Sequence, residues 1–129
     1  YNVADIMFKD KNPIVQENAS VQDTLFVMTA SKTGAATIVD KQGKLKGYFT
    51  DGDLRRLLQK NVNILGLNIT KVMTKKPFAF SALTPAIEAA KIINNRKFDN
   101  APVIDENGKV IGLLDKDNLI EFIALIDKK

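Results

Sequence analysis

Apolar residues recur along this chain in two alternating arrangements. Val21, Leu25 and Met28 stand three and four positions apart, which sets them on one face of a helix. Ser20 stands before that face and Asp23 follows three residues later, the spacing of a helix-starting capping box. A continuous apolar run, Ala35 to Val39, comes next. Then follow Asp40-Lys41-Gln42-Gly43 and a second run, Lys46 to Phe49. Two short apolar runs around an Asp-x-x-Gly turn predict a β-hairpin. A second helix is predicted to start near Asp51.

The same order returns about 65 positions later. Ala36 to Phe49 matches Ala101 to Leu114, with Asp105-Glu106-Asn107-Gly108 in the place of the first turn. Val3-Ala4-Asp5-Ile6-Met7 parallels Ile69-Thr70-Lys71-Val72-Met73, and Pro13 to Leu25 parallels Pro77 to Ala89. Thr84 is the expected cap of the later helix, with Pro85 at its first position, where a missing N–H is harmless. Ile87, Ala90 and Ile93-Asn94 continue that helix, and a fourth starts near Lys116. The repeat reads as extended segment, helix, strand, strand, helix. The expected fold class is α+β, with one repeat over 1–62 and a second over 63–129. Two pieces of that size bury little surface alone, so they are expected to pack on each other with pseudo-two-fold symmetry.

Composition narrows the chemistry. The 129 residues are 45% hydrophobic and 26% charged, as in a folded soluble protein. There is no Cys and no His. That removes disulfides, thiol nucleophiles, Cys and His metal sites, and triads that depend on imidazole. Magnesium or calcium held by carboxylates alone stays open, but no calcium loop of the Asp-x-Asp-x-Asp-Gly type occurs; no metal site and no catalytic residue is expected. A formal charge of +4 suits an anionic ligand. Lys and Asp/Glu are interleaved, and Phe8, Phe26, Phe78, Phe80 and Phe98 are read as isolated core residues, so no nucleic-acid partner is expected. No apolar stretch reaches the length of a membrane span. No membrane partner and a cytoplasmic location are expected. The chain opens at Tyr1, which suggests a piece of a longer protein.

The stretch richest in chemistry is Gly47-Tyr48-Phe49-Thr50-Asp51-Gly52-Asp53-Leu54-Arg55-Arg56. A strand ends and a helix starts there. Thr50 and Asp53 have capping spacing, and capping alone accounts for them. The other reading is a ligand site. Free N–H groups and the positive end of the helix dipole suit a phosphate, and the Asp53 carboxylate can accept from a ribose diol. Gly52 leaves the first turn open. Arg55 and Arg56 supply guanidinium donors, diverging around the helix so that one reaches a ligand and the other pairs with a carboxylate. Lys32 and Arg96, read as its counterpart, are further candidates for the anionic end.

Two repeats of this layout, with Gly-apolar-apolar-Thr-x-x-Asp-Leu in the first, resemble a tandem pair of cystathionine β-synthase (CBS) domains, a Bateman module. Gly47 to Arg56, Val3 to Met7, Gly34-Ala35-Ala36-Thr37 and Ile69 to Thr74 further resemble the carboxyl-terminal CBS pair of KpsF/GutQ-type arabinose-5-phosphate isomerases. The resemblance implies a regulatory module, not itself an enzyme, forming a disc-like homodimer. It would bind a nucleotide or sugar nucleotide, an adenosine phosphate or a CMP-Kdo-like compound, and need no other cofactor. The parent protein would carry an upstream sugar isomerase domain and serve 3-deoxy-manno-octulosonate (Kdo) and lipopolysaccharide synthesis. The alternatives are a purely structural oligomerisation module or the CBS pair of a sugar nucleotidyltransferase. The family's ribose contacts map onto Thr50 and Asp53. In the second repeat the same positions hold Asp115, which would repel phosphate, and Asn118, a weaker diol acceptor. The two sites are therefore expected to differ. Asp51, Ala35 and Pro102, together with Lys97 where relatives carry a His, complete the candidate ligand-binding set.

Overall fold

The computed structural model describes residues 1–10, 12–60 and 63–127. Val62, the last residue of the expected first repeat, and the final two residues lie outside the described residues. The chain forms two compact units. Unit I is Lys11–Pro77, and unit II joins Tyr1–Asp10 to Phe78–Lys129.

In unit I, β1 (Ile14–Gln16), β2 (Ala35–Val39), β3 (Leu45–Thr50) and β4 (Thr74–Lys75) form one sheet in that order. β1 runs parallel to β2 with Val15 opposite Ile38, and β2 and β3 form the expected antiparallel hairpin. Asp40 builds its turn: its Oδ1 accepts from the backbone N–H groups of Gln42 (2.9 Å) and Lys44 (3.0 Å). Gly43 takes φ +82°, the left-handed region that favours glycine. Helix α1 (Val21–Ser31) opens on the predicted capping box. The Asp23 N–H donates to Ser20 Oγ at 3.0 Å, and the Ser20 N–H donates to Asp23 Oδ2 at 3.5 Å. The Thr24 hydroxyl can be buried because it donates to the Ser20 carbonyl at 2.9 Å. Helix α2 (Asp51–Lys60) follows β3 directly. Val15, Val21, Met28, Ala36, Ile38, Phe49, Ile64 and Ile69 form the core, with Leu54 and Leu57 of α2 packed against it.

Unit II repeats this plan. β5 (Phe80–Ser81), β6 (Asn100–Ile104) and β7 (Val110–Asp115) form a three-stranded sheet, and α3 (Ala86–Arg96) and α4 (Lys116–Asp127) supply the helices. Val103 pairs with Phe80 as Ile38 pairs with Val15, so the strands align at a constant shift of 65 and Pro13 corresponds to Phe78. The Thr37 N–H donates to the Pro13 carbonyl at 2.7 Å. Pro102, at the matching position, has no N–H to give, and β5 is one residue shorter than β1. Pro85 is the N-cap of α3 rather than its first helical residue. Its ψ of 142° is extended, and the Ala86 N–H donates to the Tyr1 carbonyl at 3.0 Å.

The sequence repeats and the compact units partition the chain differently. The stretch ahead of each repeat completes the other repeat's unit. Val3–Asp5 and Ile69–Lys71 are matching 3₁₀ turns. Val3, Ile6 and Met7 pack with Phe80, Val103 and Leu114, whereas Ile69, Val72 and Met73 pack with Ile38 and Phe49. A glycine receives each stretch. A Cβ on Gly47 would collide with the Met73 thioether, and one on Gly112 with Met7 Sδ (2.5 Å) and the Phe8 carbonyl oxygen (3.0 Å).

Candidate functional site

The site grows from the β3–α2 junction. Hairpin register sets Thr50, the last residue of β3, opposite Ala35. The Asp51 N–H donates to the Gly34 carbonyl at 3.0 Å, which ties the start of α2 to the loop before β2. The Asp53 N–H donates to Thr50 Oγ1 at 3.2 Å, and the Thr50 N–H donates to Asp53 Oδ2 at 3.0 Å. This is a complete capping box with Asp as its third-position partner. Arg56 Nη2 donates to Asp53 Oδ1 at 2.5 Å. The carboxylate expected to face a ligand thus holds one bond per oxygen, one from the helix start and one from a guanidinium. Arg56 is the arginine that pairs with a carboxylate. Arg55 is exposed and makes no ion pair among the described residues. The Arg56 side chain borders the turn at Gly52. A Cβ there would sit 3.4 Å from Arg56 Nη1, because the guanidinium folds back over it.

Beside the junction, α1 and α2 enclose a groove of about 360 Å³ lined by Leu25, Met28, Thr29, Lys32, Gly34, Asp51 and Leu54. Lys32 and Asp51 are the two expected residues it gathers. Lys32 reaches the groove as the left-handed C-cap of α1 (φ +59°), its N–H donating to the Met28 carbonyl at 3.1 Å. Sequence reasoning missed Gly34 as a lining residue. Its φ is +73°, and a Cβ there would lie 2.9 Å from Asp51 Oδ2, so glycine is what lets that carboxylate lie over the loop. The signal was present in the Gly34-Ala35-Ala36-Thr37 stretch. Leu25 and Met28 were readable only as core positions.

Unit II arranges its counterparts differently. The left-handed cap of α3 is Lys97 (φ +57°), which makes Lys97, not Arg96, the counterpart of Lys32. The Arg96 guanidinium stacks over the Phe78 ring, 4.5 Å from its centroid. Nor does Phe78 stand alone: its centroid is 4.9 Å from that of Phe80 and 5.6 Å from that of Phe98. Pro102 is buried within β6. At the β7–α4 junction the Asp115 carboxylate accepts the N–H groups of Asp117 (3.1 Å) and Asn118 (3.4 Å), and so acts as a cap. The Asn118 side-chain amide donates to the Ile6 carbonyl at 2.8 Å. Among the described residues no cluster of three carboxylates is placed to hold a metal, and no helix is long and apolar enough to cross a membrane.

Comparison with known proteins follows this geometry. The family model described as "CBS domain" matches twice, at residues 3–60 and 69–125. "Arabinose 5-phosphate isomerase GutQ" of Salmonella typhi is 36% identical over 113 residues, 88% of this chain and 34% of that protein. "Arabinose 5-phosphate isomerase KdsD" of Pseudomonas aeruginosa is 34% identical over 119 residues, 92% of this chain and 36% of that protein. The chain spans about a third of the length of these curated relatives. Among solved structures, the CBS-pair protein CBSX2 from Arabidopsis thaliana superposes with a TM-score of 0.84 at 28% identity, covering 100% of this chain and 98% of that one. A CBSX2 structure in complex with AMP superposes with a TM-score of 0.81, also at 28% identity, over 98% of each chain.

Proposed function

The chain belongs to the CBS domain family, and from that premise we propose that it is a non-catalytic regulatory module that binds a phosphate-bearing nucleotide or sugar nucleotide at the β3–α2 junction. The observation that carries this is the Thr50–Asp53–Arg56 array at the start of α2. A ribose diol would be accepted by Asp53. A phosphate would take Arg56, whose side chain is 67% exposed and therefore free to change partner. Lys32 and Asp51 would line the approach through the groove. The AMP complex of CBSX2 supports an adenosine phosphate. The likeness to the isomerases supports attachment to a cytoplasmic arabinose-5-phosphate isomerase of Kdo and lipopolysaccharide synthesis, with a CMP-Kdo-like compound as the other candidate ligand.

A structural role in homo-oligomerisation rests on a separate observation. Every helix leaves a large apolar side chain in solvent: Phe26 on α1, Leu58 on α2, Ile87 on α3, and Ile120 and Leu125 on α4. Homodimerisation through these faces is compatible with ligand binding.

The test compares AMP with adenosine by thermal shift. AMP is expected to raise the melting temperature more than adenosine at low salt, and the advantage should shrink as salt screens the phosphate. Equal shifts at low salt would contradict the anion reading. No shift with AMP or with CMP-Kdo would leave the structural role in its place.

A further inference from the structure

Asn118 bonds across 112 positions of chain to the Ile6 carbonyl. Its counterpart in unit I, Asp53, is turned to its own helix start and to Arg56. The difference follows from chemistry. An amide can donate to a carbonyl, whereas a carboxylate only accepts. The stretch that Asn118 holds is otherwise stitched along its length. The Val3 N–H donates to the Thr84 carbonyl (2.8 Å) and the Ala4 N–H to the Ala82 carbonyl (3.0 Å). Phe8 and Leu113 exchange two backbone bonds of 2.8 and 3.0 Å. Between these bonded ends, the Ile6 carbonyl takes its partner from a side chain of α4. The neighbouring Asp115 accepts two N–H groups of α4 through its Oδ2.

We infer that Asn118 is a positioning residue that clamps the stretch ahead of the first repeat onto unit II, and that this duty withdraws the second junction from ligand binding, leaving one nucleotide per chain. Any chain joined ahead of Tyr1 would then be anchored to the unit that does not carry the Thr50–Asp53 junction. The one-nucleotide consequence rests on the function proposed above, whereas the clamp does not.

Hydrogen–deuterium exchange without nucleotide tests the clamp. Asn118→Ala leaves the Ile6 carbonyl without its donor. Asn118→Asp keeps the shape but sets acceptor against acceptor. In both variants the Ala4 and Phe8 amides should exchange about tenfold or more faster, while the β6–β7 hairpin amides keep their wild-type protection. Wild-type exchange at Ala4 and Phe8 in both variants, or uniform loosening of unit II, would overturn the clamp. Native mass spectrometry of the wild-type chain with AMP should count one AMP per chain. Two per chain would overturn the withdrawal of the second junction. Because the exchange measurement contains no nucleotide, it fails or succeeds independently of the proposed function.

Discussion

The β3–α2 and β7–α4 junctions share a backbone plan and differ at all four positions. Thr50, Asp51, Gly52 and Asp53 in the first become Asp115, Lys116, Asp117 and Asn118 in the second. Each helix anchors its first N–H on the loop before the preceding hairpin, at Gly34 O (3.0 Å) and at Asp99 O (2.8 Å). Each junction also caps its helix, with a hydroxyl and a carboxylate in reciprocal bonds in unit I and with one carboxylate taking two N–H groups in unit II. What differs is the use of the third helical residue. Asp53 presents a carboxylate beside an exposed guanidinium, and Asn118 spends its amide on a distant carbonyl. One fold thus carries a chemical surface at one copy of the motif and a structural tie at the other. The lesson is that a duplicated motif is read residue by residue, because a single exchange of carboxylate for amide changes what the position can bond.

The largest expected effect concerns the glycines that receive the two lead stretches. Gly112→Ala would press a methyl group against Met7 and against the Phe8 backbone. The nearest atoms that Gly47→Ala would meet belong to the flexible Met73 side chain. Overpacking of this kind typically costs about 1–3 kcal/mol. Gly112→Ala should fall at the upper end and Gly47→Ala at the lower, as read by urea unfolding. Equal losses would show that both lead stretches yield alike.

The smallest effect separates the two hairpin turns. The hydrogen bond from the Lys44 N–H holds the Asp40 carboxyl below its ordinary 3.8, with the Gln42 N–H and the Lys46 ammonium, 4.0 Å away, acting in the same direction against desolvation. A carboxyl whose folded pKa is depressed contributes stability above its unfolded pKa and loses it as the pH falls through the folded value. Asp40→Asn keeps the turn's acceptor and removes the charge. It should lower the melting temperature slightly at pH 7, and the gap to wild type should close as the medium is acidified below the ordinary carboxyl range. A gap that widened on acidification would contradict this sign.

Much of this architecture was legible in the chain. Alternating helical and strand periods placed both hairpins and all four helices, and the Ser20–Asp23 and Thr50–Asp53 spacings gave two capping boxes that the structure contains. Arg56 was expected to compete with Arg55 for a surface carboxylate, and it holds Asp53. What the chain could not disclose was the exchange of lead stretches. Val3–Met7 and Ile69–Met73 are equivalent sequences facing equivalent hairpins, so the pattern is the same whichever hairpin each one joins. The bond from Asn118 to Ile6 was illegible for the same reason, since it depends on that choice. The groove was half legible: Lys32 and Asp51 were marked by charge, whereas Leu25, Met28 and Leu54 look like any core-facing residues of an amphipathic helix.

Calorimetric titration of AMP into the wild type, Asp53→Ala and Asn118→Ala tests the inequality of the two junctions most directly. Loss of a charged acceptor at Asp53 should weaken binding about tenfold or more, whereas Asn118→Ala should change affinity by less than about twofold. Equal losses from the two substitutions, or a larger loss from Asn118→Ala, would contradict the assignment of the nucleotide to the Thr50–Asp53 junction.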